Sequence, residues 1–163
     1  MAATVLVDTS YLVAVINRRD PNYIWASTLL KRWAPPWRTC DAVLSETFHM
    51  IGSPGMPLLV SLIRDGALTV TGVSEYGSDE ILALMEKYAD VPMSFADACL
   101  VRMTEIMPDP MLLTTDGDFR IYRRHGRKAI PCTMPSITSH SVQPAARRAR
   151  ASRDRETHET SQG

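Results

Sequence analysis

Asp8 follows directly on the apolar run Thr4–Val7, and Asp116 follows on a second such run, Met111–Thr115. Glu46 lies within a helical pattern from Asp41 to Ile51, off the apolar stripe but beside it. Asp97 stands three residues after Ser94, at the start of another helix, and Asp118 follows Asp116 by two residues as an accessory acid. Each has an ordinary structural use. Asp8 caps a helix, a device worth about 1 kcal/mol. Ser94 and Asp97 form an S-x-x-D capping arrangement, and an acid in a first turn suits the helix dipole. Glu46 serves as a solvated helix residue, and Asp116-Gly117 as a turn pair. Gathered in one place, they imply different chemistry. Asp8 and Asp116 emerge at the margin of a core, and Asp97 is enclosed by Phe95, Ala96, Ala98 and Cys99. Uncompensated carboxylates there repel and raise one another's pKa. A hard divalent cation, Mg2+ or Mn2+, removes that penalty because it favours carboxylate oxygens and water.

Such a cluster needs elements that bring it together. Thr4–Val7 is suited to a buried strand. Asp8-Thr9-Ser10 then opens a helix carrying Leu12, Val13, Val15 and Ile16. Asp20-Pro21 predicts a second cap, with Pro at the first helical position and Trp25, Leu29 and Trp33 on one side before Pro35-Pro36. Trp37–Cys40 reads as a strand. The stripe Val43, Leu44, Phe48, Ile51 marks a helix that Gly52-Ser53-Pro54-Gly55 breaks, with helix again over 58–63. Ala67–Val73 reads as a strand. Ser78 starts a helix with Ile81, Leu82, Met85 and Tyr88 inward, and Ser94 one with Phe95, Cys99, Met103 and Ile106 on a stripe. After the strand 111–115 come a short helix, 119–124, and a last strand, 129–132. Strands alternating with helices imply an α/β fold, a three-layer sandwich around a central, mostly parallel twisted sheet of about five short strands. In such sheets the site lies beyond the carboxyl ends of the strands.

The 163 residues carry 18 basic and 18 acidic side chains, which excludes a strongly charged whole-chain field. Residues 1–138 hold 13 basic and 15 acidic groups; residues 139–163 hold five Arg and three acids. That last stretch has one Val and no aromatic, too little to offset the entropy of ordering it. The expected division is a folded domain over 1–135 and a disordered, flexible Arg-rich tail over 136–163. Arg147, Arg148, Arg150, Arg153 and Arg155 there either touch nucleic acid or are simply solvated. Cys40, Cys99 and Cys132 are dispersed and read as reduced thiols of a cytoplasmic protein. No apolar run has transmembrane length.

No competing catalytic pattern stands out. His49, His125, His140 and His158 are scattered, with neither H-E-x-x-H nor a nucleophile elbow. A haloacid-dehalogenase-like phosphatase needs a second Asp two residues after the first, where this chain has Ser10. Arg120, Arg123, Arg124, Arg127 and Lys128 crowd into nine residues after Asp116. On a short helix the first three share a face, either for phosphates or as a solvated helix end. Tyr11, Phe119 and Tyr122 are candidates for stacking bases, with packing the stronger reading for Phe119.

The segments LVDTSYLVAVI, LSETFHMI, MSFADACLVRMTE and LLTTDGDF, in that order, resemble the PIN-domain family, and most of all its VapC-type ribonuclease toxins. The resemblance covers about residues 4–135. It implies a metal-dependent endoribonuclease acting on single-stranded RNA, with Asp8, Glu46, Asp97 and Asp116 around one or two Mg2+ or Mn2+ ions. Thr9, Ser10 and Thr114 fall on the family's supporting polar positions. It also implies a small antitoxin partner and a homodimer. The competing expectation is a catalytically inactive PIN-like RNA- or protein-binding module.

Overall fold

The computed structural model describes residues 3–136. Beyond Ser136 the expected tail lies outside the described residues. Strand β1, Thr4–Val7, is the centre of the architecture. Val5, Leu6 and Val7 are all buried although successive strand side chains point to opposite faces. Both faces of the sheet are therefore covered, which accounts for an apolar run without alternation. The chain then passes through helices α1, Thr9–Ile16, and α2, Tyr23–Leu29, to strand β2, Trp37–Cys40. Helix α3, Asp41–Arg64, leads to β3, Leu68–Thr71. Helices α4, Ser78–Lys87, and α5, Phe95–Ile106, lead to β4, Pro110–Leu113.

After a 3-10 turn over Gly117–Arg120 the chain makes a two-residue antiparallel ribbon, β5 (Arg123–Arg124) with β6 (Lys128–Ala129). It ends in β7, Cys132–Thr133, which joins the main sheet beside β4. The five main strands run in the order β3-β2-β1-β4-β7, every pair parallel. The expected α/β sandwich with a central parallel sheet is what forms. From β1 the chain builds outward through β2 to β3, then returns to β1's other side as β4. The β1/β4 boundary is thus the topological switch point, where a crevice opens beyond the strand ends.

Several local expectations are corrected. Asp20 does not cap α2. Its Oδ1 accepts the Asn22 backbone N–H at 2.8 Å, closing a turn, and the helix starts two residues later than Asp20-Pro21 suggested. The break in α3 is one residue wide: only Gly52, at φ 56° and ψ −165°, leaves helical geometry. Helix resumes at once because Pro54 sits in the first turn of the second half, where its missing N–H costs nothing. Gly55 lies where a Cβ would come within 3.2 Å of Ile16 Cγ2, so α3 and α1 approach closely there. In α4, Ile81 is fully buried while Leu82 is 51% exposed, so the inward face is rotated from the expected one. In α5, Cys99 and Met103 are buried but Phe95 and Ile106 stand partly in solvent.

Candidate active site

Asp8 is placed by the end of β1. Its backbone N–H donates to Leu113 O at 3.1 Å, which aligns it with the end of β4. Its side chain caps α1, with Oδ1 accepting the Thr9 N–H at 2.6 Å. Oδ2 accepts two hydroxyls, Ser10 at 2.7 Å and Thr114 at 2.8 Å. Those hydroxyls in turn accept the backbone N–H groups of Thr115 and Asp116, each at 2.9 Å. Asp8 is thus both cap and keystone: the turn that carries Asp116 is tied to it through Ser10 and Thr114. Burial pushes the Asp8 carboxyl above its usual range, the three donors oppose that, and the Asp116 charge adds to it.

Asp97 has the expected capping box. Ser94 Oγ accepts the Asp97 N–H at 3.1 Å, and Asp97 Oδ2 accepts the Ser94 N–H at 2.9 Å. It is nevertheless more than a cap. It is 9% exposed, and its pKa is pushed up to about 6, first by burial and then by the charges of Asp8 and Asp116. The repulsion places these three carboxylates within electrostatic reach of one another. Asp116 caps the 3-10 turn, its Oδ1 accepting the Asp118 N–H at 2.9 Å. Asp118 is raised by burial and by Asp116. Glu46 projects from α3 to the same edge, where its Oε2 accepts the Thr9 hydroxyl at 3.0 Å. All four acids of the expected quartet are therefore gathered at the carboxyl edge of the sheet.

The donor set suits a hard cation. The gathered side chains offer carboxylate and hydroxyl oxygens, while His49 is exposed and Cys99 is buried in the core. Asp97 and Asp116 each keep one carboxylate oxygen that takes no hydrogen bond among the described residues. Among those residues, no three His, Cys, Asp or Glu side chains already stand close enough to form a ready-made metal site. The residues fit Mg2+ or Mn2+ by donor type and by location at the sheet edge.

The basic cluster is not where a short helix would place it. His125 and Gly126 have φ of 47° and 74°, which turn the chain into the β5/β6 ribbon. Arg123 Nη1 donates to the carbonyls of Arg120, Ile121 and Tyr122 at 2.6 to 2.9 Å. Arg124 Nε is buried without a partner. The ribbon also runs away from the acids. Tyr122 reaches Asp97 in the first turn of α5, but the His125 N–H donates to Glu105 at 2.7 Å, near the helix's other end. Eight helical residues separate those anchors, about 12 Å. Arg120, Arg123 and Arg124 share no face, and only Arg120 remains exposed beside the acidic turn.

The stacking candidates are likewise core residues. Tyr11 is fully buried, edge-on to Trp25 and Trp37, and Tyr122 is fully buried against Phe119 and Tyr88. Tyr122 has a role the sequence did not reveal: its hydroxyl faces Asp97 Oδ2 at 3.5 Å, and burial together with the acids pushes its own pKa up.

The crystal structure of Mycobacterium tuberculosis VapC20, described as a Sarcin-Ricin loop cleaving toxin, is similar to this chain. The TM-score is 0.57 and the identity 21%, over 71% of this chain and 92% of that one. The likeness is one of fold. No curated protein matches the sequence. The PIN domain family matches residues 5–124, a span that takes in all four acids. The chain therefore belongs to the PIN domain family.

Proposed function

We propose that this protein is a metal-dependent endoribonuclease that cleaves single-stranded RNA and acts as the toxin of a toxin–antitoxin pair. The observation that carries the reading is the meeting of Asp8, Glu46, Asp97 and Asp116 at one sheet edge, inside a PIN domain. Asp8, Asp97 and Asp116 are the groups that would hold Mg2+ or Mn2+, with Glu46 completing the quartet. When bound, such an ion would offset the negative charge of the carboxylates and of an anionic phosphodiester, lower the pKa of a water and stabilise charge developing on phosphorus. Ser10 and Thr114 orient Asp8 by donating to one oxygen and favour its charged form against burial, while the other oxygen holds the Thr9 N–H at the start of α1. Thr9 sets the direction of Glu46, which orients the attacking water and takes up its proton. Asp118 backs Asp116, and Arg120 meets a phosphate flanking the scissile bond.

The name of the similar VapC20 structure, a toxin, supports the toxin assignment; a small antitoxin partner, a homodimer and a cytoplasmic setting are part of the same proposal. Among the described residues no helix is long and apolar enough to cross a membrane. Incubating purified protein with RNA and Mn2+ or Mg2+, beside Asp8→Asn and Asp97→Asn, tests the reading. Cleavage by the parent alone is expected. Cleavage untouched by both substitutions overturns it. Metal binding with no cleavage of any RNA would instead identify the inactive RNA- or protein-binding module. Expression of the parent should arrest growth where Asp8→Asn does not, and equal colony yields would remove the toxin role.

A further inference from the structure

The proposed function requires RNA to be held beside Asp8, Glu46, Asp97 and Asp116, where Arg120 offers a phosphate contact and nothing for the bases. Single strands are also held by their bases, which stack on aromatic rings. The aromatics that the sequence put forward for this, Tyr11, Phe119 and Tyr122, are all buried and cannot meet a base. Phe95 is the reverse case. The helical stripe predicts it inward, yet it is 41% exposed, the most exposed aromatic among the described residues.

A single exposed apolar side chain is ordinary on a protein surface. The placement of this one sets it apart. Phe95 is the first residue of α5, at the carboxyl edge of the sheet and two residues before Asp97. Ser94 and Asp97 already cap the helix, so the ring is not needed to start it. By helical phase Phe95 shares a face with Cys99 and lies on the other side of the helix from Asp97. The Cys99 thiol meets that of Cys40, the last residue of β2, and α5 packs on β2 and α3. The ring therefore overhangs the β2 end of the crevice. Arg120 stands towards the other end, where its charge reaches the Cys132 thiol on β7. Between them lie β1 and β4, which lead into Asp8 and Asp116. From β2 to β7 is three strand spacings, about 14 Å. A short stretch of single-stranded RNA spans that distance across the acids.

We infer that Phe95 is a base-stacking platform at the lip of the site: its ring takes the base of a nucleotide flanking the scissile bond on the β2 side, opposite the phosphate held by Arg120. The inference rests on the ribonuclease reading and assigns it a substrate-binding residue outside the acidic quartet. Every base has a π-face, so the contact adds affinity without choosing sequence. Stacking neutralises no phosphate, so the salt dependence of binding stays with the cations. The ring does not touch the reacting atoms. It holds substrate and transition state alike, and so acts on KM and not on kcat.

The test is binding of a labelled oligouridylate, and of an abasic oligomer with the same sugar-phosphate backbone, by the full chain carrying Asp8→Asn, which removes turnover. That chain is compared with forms that also carry Phe95→Ala, Phe95→Leu or Phe95→Trp. The Ala and Leu forms should bind oligouridylate at least about fivefold more weakly, and the Trp form should stay within about twofold or bind more tightly. The salt slope should be the same in all of them. Abasic oligomer should bind every form within about twofold, since it offers no base to stack. The Leu form keeps an apolar side chain at a half-exposed position, so its loss cannot be assigned to unfolding. Unchanged oligouridylate binding by the Ala form overturns the inference. An equal loss with the abasic oligomer overturns it too, and marks the ring as a support of the fold. Full affinity in the Leu form overturns the stacking basis. A Mn2+ cleavage assay with Asp8 intact separates the two readings. Phe95→Ala should raise KM at least about fivefold with kcat within about twofold. Cleavage with KM unchanged leaves the ribonuclease standing without the platform, whereas a base-dependent loss of binding with no cleavage by the parent leaves the platform on an inactive domain.

Discussion

Thr9 donates its hydroxyl to Glu46 Oε2 at 3.0 Å, across 37 positions of sequence. Through that contact the residue that follows Asp8 fixes the direction of an acid on another helix. Thr9 is buried and Glu46 is exposed, so the bond is worth more to orientation than to stability. Thr9→Val, close to isosteric, should cost about 1 kcal/mol in urea unfolding and slow RNA cleavage by about tenfold. Glu46→Gln, which keeps the acceptor, should leave stability within about 0.5 kcal/mol while removing most of the activity. Full activity in Thr9→Val would show that Glu46 needs no such guide.

Ser10 and Thr114 converge on one oxygen of Asp8. Ser10→Ala and Thr114→Val should each cost about 1–3 kcal/mol, since each leaves a buried carboxylate short of a donor. The two losses should not add, because they share Asp8 and both position the turn that carries Asp116; a coupling of at least about 0.5 kcal/mol is expected from a double-mutant cycle. Strict additivity would mean the hydroxyls act independently.

Asp97 carries a pH signature. Burial and the neighbouring acids push its pKa in the fold up to about 6, above the ordinary 3.8. A carboxyl raised in this way binds its proton more tightly folded than unfolded. Its contribution is favourable below about pH 4 and is lost as the pH rises through about 6. In EDTA at pH 7.5, Asp97→Asn should therefore be more stable than the parent, by about 1–3 kcal/mol, since Asn keeps an acceptor for the Ser94 N–H. The gain should vanish near pH 4. Denaturant midpoints at the two pH values check it, and a destabilised Asp97→Asn at pH 7.5 would contradict the assignment of Asp97 as a strained carboxylate.

Tyr122 separates packing from polarity. Its ring is fully buried against Tyr88 and Phe119, while its hydroxyl stands 3.5 Å from Asp97. Tyr122→Phe should cost under about 1 kcal/mol and Tyr122→Ala about 3–5 kcal/mol. Thermal melts of both variants decide the matter, and a Phe variant as damaged as Ala would place the hydroxyl at the centre of the site's stability.

What was legible in the sequence follows from how local each signal is. Thr4–Val7 and Trp37–Cys40 read as strands at their observed bounds because short apolar or β-branched stretches between helix starts have few other uses. Asp8, Asp97 and Asp116 stand out because each sits at a strand end or in a first helical turn, and parallel strands bring such positions to one edge; Glu46, in the second turn of α3, was singled out by the PIN resemblance. The arginine cluster was misread because Gly126 signals a helix stop and a ribbon turn equally well; the left-handed φ of His125 beside it makes the ribbon. Pro54 looked like a breaker because its effect depends on its distance from a helix start, and that start was created by Gly52. Tyr11 and Tyr122 could not be sorted from sequence, since the ring that stacks on a base also fills a core. The Thr9–Glu46 and Tyr122–Asp97 pairs depend on helix packing at long range, which no local pattern encodes.

The central claim is that acids far apart in sequence act as one cation pocket. Calorimetric titration of Mn2+ into the full chain at neutral pH tests it most directly, alongside Asp8→Asn, Asp97→Asn and Asp116→Asn. The account predicts saturable binding by the parent, loss of at least about tenfold in affinity for each variant, and a raised melting temperature in the parent alone, as expected when a ligand binds only the folded state. Equal Mn2+ affinity in the parent and all three variants would contradict it.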